Sequence, residues 1–122
     1  MPVSVLIIED NLDNYYLMQY LLESREYTVL GAENGWLGLQ MALYNVPDII
    51  LLDIQLPGMD GYEVLHEIRS NPDIADIPVV AVTSYAMAGN KKQVLDAGAT
   101  GYIEKPIDPE TFADQVTSYL KA

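Results

Sequence analysis

Four short stretches of this chain carry residues that could do chemistry together: Glu9-Asp10, Asp53, Thr83 and Lys105, each at the carboxyl end of a predicted strand. Three carboxylates gathered at one point repel one another. At an effective dielectric constant of about 20, two unit charges about 4 Å apart interact by about 4 kcal/mol. Such a cluster persists only with raised pKa values, a lysine or a divalent cation beside it. An oxygen-only donor set suits Mg2+ or Mn2+, hard cations that take few protein ligands and keep several waters. A cation, an accessible carboxylate, a hydroxyl and an ammonium around one point suit the handling of a phosphoryl group. Asp53 would be the nucleophile, and Thr83 and Lys105 would bind the transferred oxygens. No glycine-rich phosphate loop is present, so a nucleotide is not the evident donor. Taken singly, each residue has an ordinary explanation: a helix cap, a turn residue before Pro57-Gly58, a strand end, a surface cation. Four of them at four strand ends do not.

The elements that must position these residues are legible in the hydrophobic pattern. Residues 3–8 are rich in β-branched residues and predict a strand buried on both faces. Asn11 or Asp10 can cap the helix that follows, with Leu17, Met18, Leu21 and Leu22 at three- and four-residue spacing. Residues 27–31 predict a second strand. Trp36, Leu37, Leu39, Gln40 and Leu43 mark a helix over 34–44, stopped by Asn45 and Pro47. The run Ile49-Ile50-Leu51-Leu52 is a third strand that delivers Asp53. Asp60 can cap a helix over 61–70, apolar at Tyr62, Val64, Leu65 and Ile68. Residues 78–83 are strand four, and a helix through Val94 and Leu95 stops at Gly98. Residues 100–104 are strand five. Asp108-Pro109 opens a last helix whose buried face is Phe112, Val116, Tyr119 and Leu120.

Strands and helices in strict alternation predict one doubly wound α/β domain over 1–122, a parallel sheet with helices on both faces. Ligands of such folds sit beyond the carboxyl ends of the strands, where the four stretches lie. There is no cysteine, which excludes disulfides and thiolate metal sites and fits a reducing compartment. Six basic against 18 acidic residues give a formal charge of −12, a poor surface for nucleic acid. No apolar run reaches bilayer length and the first residues lack the basic start of a signal peptide, so the expected location is the cytoplasm, with no membrane partner.

The chain resembles a response-regulator receiver domain, the CheY-like phosphoacceptor of two-component signalling, from Val3 to Leu120. The resemblance rests on Glu9-Asp10, on Asp53 followed by Leu56-Pro57-Gly58-Met59-Asp60-Gly61, on Thr83-Ser84 and on Lys105-Pro106, in that order. It implies a flavodoxin-like sheet of strand order 2-1-3-4-5. It implies a Mg2+ site formed by Glu9, Asp10, Asp53 and the backbone carbonyl of Gln55. Asp53 would take phosphate from a phosphohistidine on a sensor histidine kinase or a histidine phosphotransfer protein. Such a donor docks most often on Leu12 and the first helix. His66, on the helix after the site, is not that histidine. The resemblance further implies that Tyr102 is a switch aromatic, turning inward as the Thr83 hydroxyl moves toward the phosphate. Residues 85–92, Tyr102 and the last helix would then meet a downstream protein target. The Lys105-Pro106 bond is usually cis in the family.

Gln55 and Tyr85, two residues after Asp53 and Thr83, occupy positions where family members differ and where the phosphoryl lifetime is set; a bulky Tyr85 would shield the acyl phosphate from water. No linker or DNA-reading segment follows Ala122, which suggests a stand-alone regulator or phosphorelay shuttle. A receiver cut from a hybrid histidine kinase or a larger regulator is the alternative. A Mg2+-dependent phosphatase with an aspartyl nucleophile ranks lower: it needs a second acid two residues after the first, where Gln55 stands. An unphosphorylated flavodoxin-like scaffold would have no use for the charge cluster. The expected role is therefore signalling and not enzymatic turnover.

Overall fold

The computed structural model describes residues 2–56, 58–84 and 88–120. Five strands, β1 (Ser4–Ile8), β2 (Thr28–Ala32), β3 (Ile49–Leu52), β4 (Val79–Thr83) and β5 (Gly101–Glu104), alternate with five helices. These are α1 (Leu12–Glu23), α2 (Gly35–Asn45), α3 (Gly61–Ser70), α4 (Ala88–Asp96) and α5 (Phe112–Ser118). All strand pairs are parallel and the order is β2-β1-β3-β4-β5, the expected doubly wound sheet.

Side chains alternate across the sheet because successive residues of a strand point to opposite faces. Leu6, Ile8, Ile50, Leu52, Val79 and Ala81 join Val64, Leu65 and Ile68 of α3 and Val94 of α4 in one core. Val5, Ile7, Ile49, Leu51, Val80, Val82 and Ile103 join Met18 and Leu22 of α1 and Phe112 and Val116 of α5 in the other. The three central strands are buried on both faces, which is why they read as unbroken apolar runs.

The hydrophobic pattern left the inner face of α2 open and misplaced the start of the last helix. The buried residues of α2 are Gly35, Gly38 and Ala42, with Leu39 and Met41 partly buried against the same core. A Cβ on Gly38 would lie 2.5 Å from Ile8 Cδ1 and one on Gly35 2.8 Å from the Met59 carbonyl oxygen, so α2 lies too close to its neighbours for side chains there. Trp36, Leu37 and Leu43 are consequently exposed. The last helix begins at Phe112 and not at Asp108-Pro109. Asp108 instead caps a preceding turn, its carboxylate accepting the Glu110 N–H at 3.0 Å while its carbonyl accepts from Phe112 at 2.9 Å. Tyr119 and Leu120 are only partly buried.

One anchor is invisible to periodicity. The Arg69 guanidinium, at the end of α3, donates from Nε to the Gly98 carbonyl (2.9 Å), from Nη1 to those of Ala75 (3.0 Å) and Ile77 (2.7 Å), and from Nη2 to Thr100 Oγ1 (3.2 Å). It ties α3 to the turn after α4 and to the start of β5. Arg69→Ala is expected to destabilise the protein by about 2 kcal/mol, because carbonyls that accepted from a charged donor lose it; urea unfolding measures the loss.

Candidate functional site at the strand ends

Each candidate side chain is delivered by the end of a strand. Asp53 follows β3, its N–H donating to the Ile8 carbonyl at 3.0 Å, and Glu9 follows β1, its N–H donating to the Ala32 carbonyl at 3.0 Å. These bonds continue the ladder one residue past each strand and fix the two acids side by side. Asn11 caps α1 by accepting the Asn14 N–H at 3.0 Å, while its own N–H donates to Glu9 Oε2 at 3.2 Å. Asp60 caps α3, accepting the Glu63 N–H at 3.0 Å. The Gly61 N–H donates to the Ile54 carbonyl at 3.0 Å and closes the loop that carries Asp53.

Glu9, Asp10 and Asp53 each present a carboxylate oxygen, all within 4.8 Å of one another. Glu9 and Asp53 are 2% and 7% exposed, and Asp10 faces solvent. Lys105 Nζ donates to Glu9 Oε1 at 2.6 Å and to Asp53 Oδ2 at 3.2 Å, while Asp53 Oδ1 accepts the Gln55 N–H at 2.9 Å. One lysine against three carboxylates leaves the cluster negative. Burial pushes the Glu9 carboxyl up to about 7, against the pull of the Lys105 ammonium and with the push of Asp53. Lys105 is itself raised: burial lowers it, but the bond to Glu9 and the charge of Asp53 outweigh that. Three hard oxygen donors with uncompensated charge fit Mg2+ or Mn2+.

The sign of the Glu9 shift sets a pH dependence. The folded chain holds this proton more tightly than the unfolded one, whose carboxyl titrates at 4.5. Glu9 therefore makes stability fall as pH rises from 4.5 to about 7. In the absence of divalent cations, the wild type is expected to lose more stability than Glu9→Gln between about pH 5 and about pH 7.5, measured by urea unfolding. Mg2+ affinity is expected to rise over the same window, because a cation displaces that proton.

Thr83, 1% exposed, ends β4 opposite Glu104, and its carbonyl accepts the Lys105 N–H at 3.0 Å. Tyr102 pairs with Ala81, so Tyr102 and Thr83 stand on the same face of the sheet. Tyr102 packs half-buried against the core on that face, and its hydroxyl is raised chiefly by burial, with Glu104 and Tyr62 adding to it. The Lys105-Pro106 bond is cis. Gln55 is exposed, with the Ser84 hydroxyl 3.5 Å from its Oε1. Tyr85 lies outside the described residues, as do Pro57, Ala86 and Met87 of the two loops read from sequence. A small groove of about 240 Å3 opens beside Glu9, bounded by Leu12, Tyr15, Gly31 and Leu37. His66 is exposed on α3. Asn11 and Gly61 were not singled out as site residues, although the cap and the tight loop that reveal their roles are both written in sequence.

A parallel sheet with three acids and a lysine at its carboxyl edge is the architecture of a signalling receiver. The chain belongs to the response regulator receiver domain family, whose model matches residues 5–117. It is 40% identical over 120 residues, 98% of both chains, to the polar-differentiation response regulator DivK of Brucella anthropi, and 38% identical over 120 residues to DivK of Brucella abortus. Among solved structures it superposes on the chemotaxis protein CheY4 of Vibrio cholerae with a TM-score of 0.92 at 26% identity, covering 98% of this chain and 100% of that one. The receiver domain of the sensor histidine kinase PA1611 of Pseudomonas aeruginosa, solved with a magnesium ion coordinated in its active-site cleft, matches with a TM-score of 0.89 at 28% identity over 98% of both chains. Among the described residues no helix is long and apolar enough to cross a membrane.

Proposed function

We propose that Asp53 accepts a phosphoryl group from a phosphohistidine on a sensor histidine kinase or histidine phosphotransfer protein, and that the modified domain then binds a downstream protein target through the surface around Tyr102. The observation that carries this reading is the placement of Asp53 Oδ2 3.2 Å from Lys105 Nζ, inside a carboxylate cluster 4.8 Å across. An Asp53 oxygen attacks phosphorus, the N–P bond to the donor imidazole breaks, and that nitrogen leaves with the electron pair and takes up a proton from solvent. The Gln55 N–H holds the other Asp53 oxygen and so fixes which one is presented. Lys105 shifts from the carboxylates toward the phosphoryl oxygens, and the Thr83 hydroxyl donates to one of them. A divalent cation held by Glu9, Asp10, Asp53 and the Gln55 carbonyl would supply the remaining charge neutralisation when bound.

Leu12, exposed beside the groove at Glu9, is a suitable edge for the donor's helices. Withdrawal of the Thr83 hydroxyl toward phosphate would vacate space on the face that Tyr102 shares, which supports a coupled rotation of that ring. Gln55, and Tyr85 with it, would set how long the phosphoryl group survives. We assign the chain to the cytoplasm as one receiver domain acting as a stand-alone regulator or shuttle. The likeness to a histidine kinase's receiver favours a second reading, a receiver within a larger protein. Beryllofluoride with Mg2+ is the test of the switch: it should change Tyr102 exposure to nitration in the wild type and leave it unchanged in Thr83→Ala. Equal change in both would sink the coupling.

A further inference from the structure

The outward face of α2 is uncharged and largely apolar. Its sequence, Gly-Trp-Leu-Gly-Leu-Gln-Met-Ala-Leu-Tyr-Asn, holds no charged residue, whereas every other helix carries at least one. Trp36, Leu37, Leu43 and Tyr44 are 63%, 40%, 41% and 92% exposed, and Gln40 is exposed between them. Their arrangement about Gln40 is symmetric. Trp36 and Tyr44 lie four residues to either side, Leu37 and Leu43 three, and at about 100° per residue all five fall on one arc of the helix.

From this we infer that the α2 face pairs with the α2 face of a second copy of the chain, the helices antiparallel about a two-fold axis through Gln40. That axis sets Trp36 against the partner's Tyr44 and Leu37 against the partner's Leu43, each contact made twice, as a closed two-fold interface requires. Gln40 meets its own copy, and a side-chain amide carries both donor and acceptor for that pairing. Electrostatics single out the same face. A chain of charge −12 repels itself, and an uncharged, apolar helix is where two copies can approach at least cost. A basic partner would gain nothing from a face without acids. The helix is only about 16 Å long, so the contact is small and the dimer weak, forming at micromolar concentrations or above.

The single tryptophan of the chain is Trp36, so its emission reports on this face alone. Sedimentation velocity and Trp36 emission would be followed together as protein concentration rises from about 1 μM to about 1 mM. The expected result is an apparent mass climbing from 13.6 kDa toward twice that value, with a blue shift over the same range. Added salt should strengthen association, since it screens repulsion without weakening apolar contact. Leu43→Glu should stay monomeric with unshifted emission, while Tyr20→Glu on α1 should associate like the wild type. Because the chain has no cysteine, Gln40→Cys places one thiol on the axis and, with dissolved oxygen as the oxidant, should form a disulfide-linked dimer much faster than Tyr20→Cys. A wild type that remains at 13.6 kDa throughout overturns the proposal. So does a Leu43→Glu variant that still associates, or a Trp36 shift that appears only on adding phosphatidylcholine vesicles.

Discussion

Replacing Lys105 by methionine should lower the stability of the cation-free protein by about 3 kcal/mol, the cost typical of removing one partner from a buried ion pair. For a domain of this size that corresponds to a fall of roughly 10 °C in Tm. Lys105 is 13% exposed in its side chain, Glu9 1% and Asp53 8%, so solvent screens these charges little. Without the ammonium, three carboxylates face one another with no neutralising group. Saturating Mg2+ should therefore stabilise Lys105→Met more than it stabilises the wild type, because the variant offers a more negative site. A calorimetric melt with and without MgCl2 measures both effects. If the variant melts with the wild type and shows the same Mg2+ increment, the lysine does not neutralise the cluster.

The second large effect belongs to a residue with no side chain. A Cβ on Gly61 would stand 2.5 Å from the Ile54 Cα and 2.8 Å from the Asp53 carbonyl oxygen. Both are backbone atoms and cannot rotate aside. Gly61→Ala must push the start of α3 away from the loop that holds Asp53, at a cost of about 2–3 kcal/mol for overpacking. Because displacing a reacting group by about 1 Å can cost on the order of 100-fold in rate, phosphoryl uptake should fall further than stability alone explains. The comparison is made well below the melting point of the variant, where both proteins are folded. An uptake rate equal to that of the wild type would show that Asp53 does not depend on this close approach.

Much of this molecule could be read before its structure was known, for a physical reason. Strands buried on both faces leave long apolar runs, so β1, β3 and β4 are unmistakable, and the acids that follow β1 and β3 fall at one edge of the sheet once the strands are parallel. The inner face of α2 was not legible, because the apolar residues that mark the helix do not say which side packs inward; close packing on Ile8 and Met59 puts Gly35, Gly38 and Ala42 there, with Leu39 and Met41 partly buried against the same core. The start of α5 was misplaced because Asp108-Pro109 is equally good at opening a turn. Arg69 was passed over since three of its four partners are backbone carbonyls, which no side-chain pattern reveals. The distances around Lys105 likewise depend on three strand ends meeting, although the residue types alone pointed to the chemistry.

Everything proposed for this site depends on Asp53 being the phosphoryl acceptor. Intact-mass measurement after incubation with acetyl phosphate and Mg2+, run on the wild type and on Asp53→Asn, tests this directly. The expected result is the mass of one added phosphoryl group on the wild type, lost when Mg2+ is chelated beforehand, and none on Asp53→Asn. An unmodified wild type, or equal modification of Asp53→Asn, would contradict it.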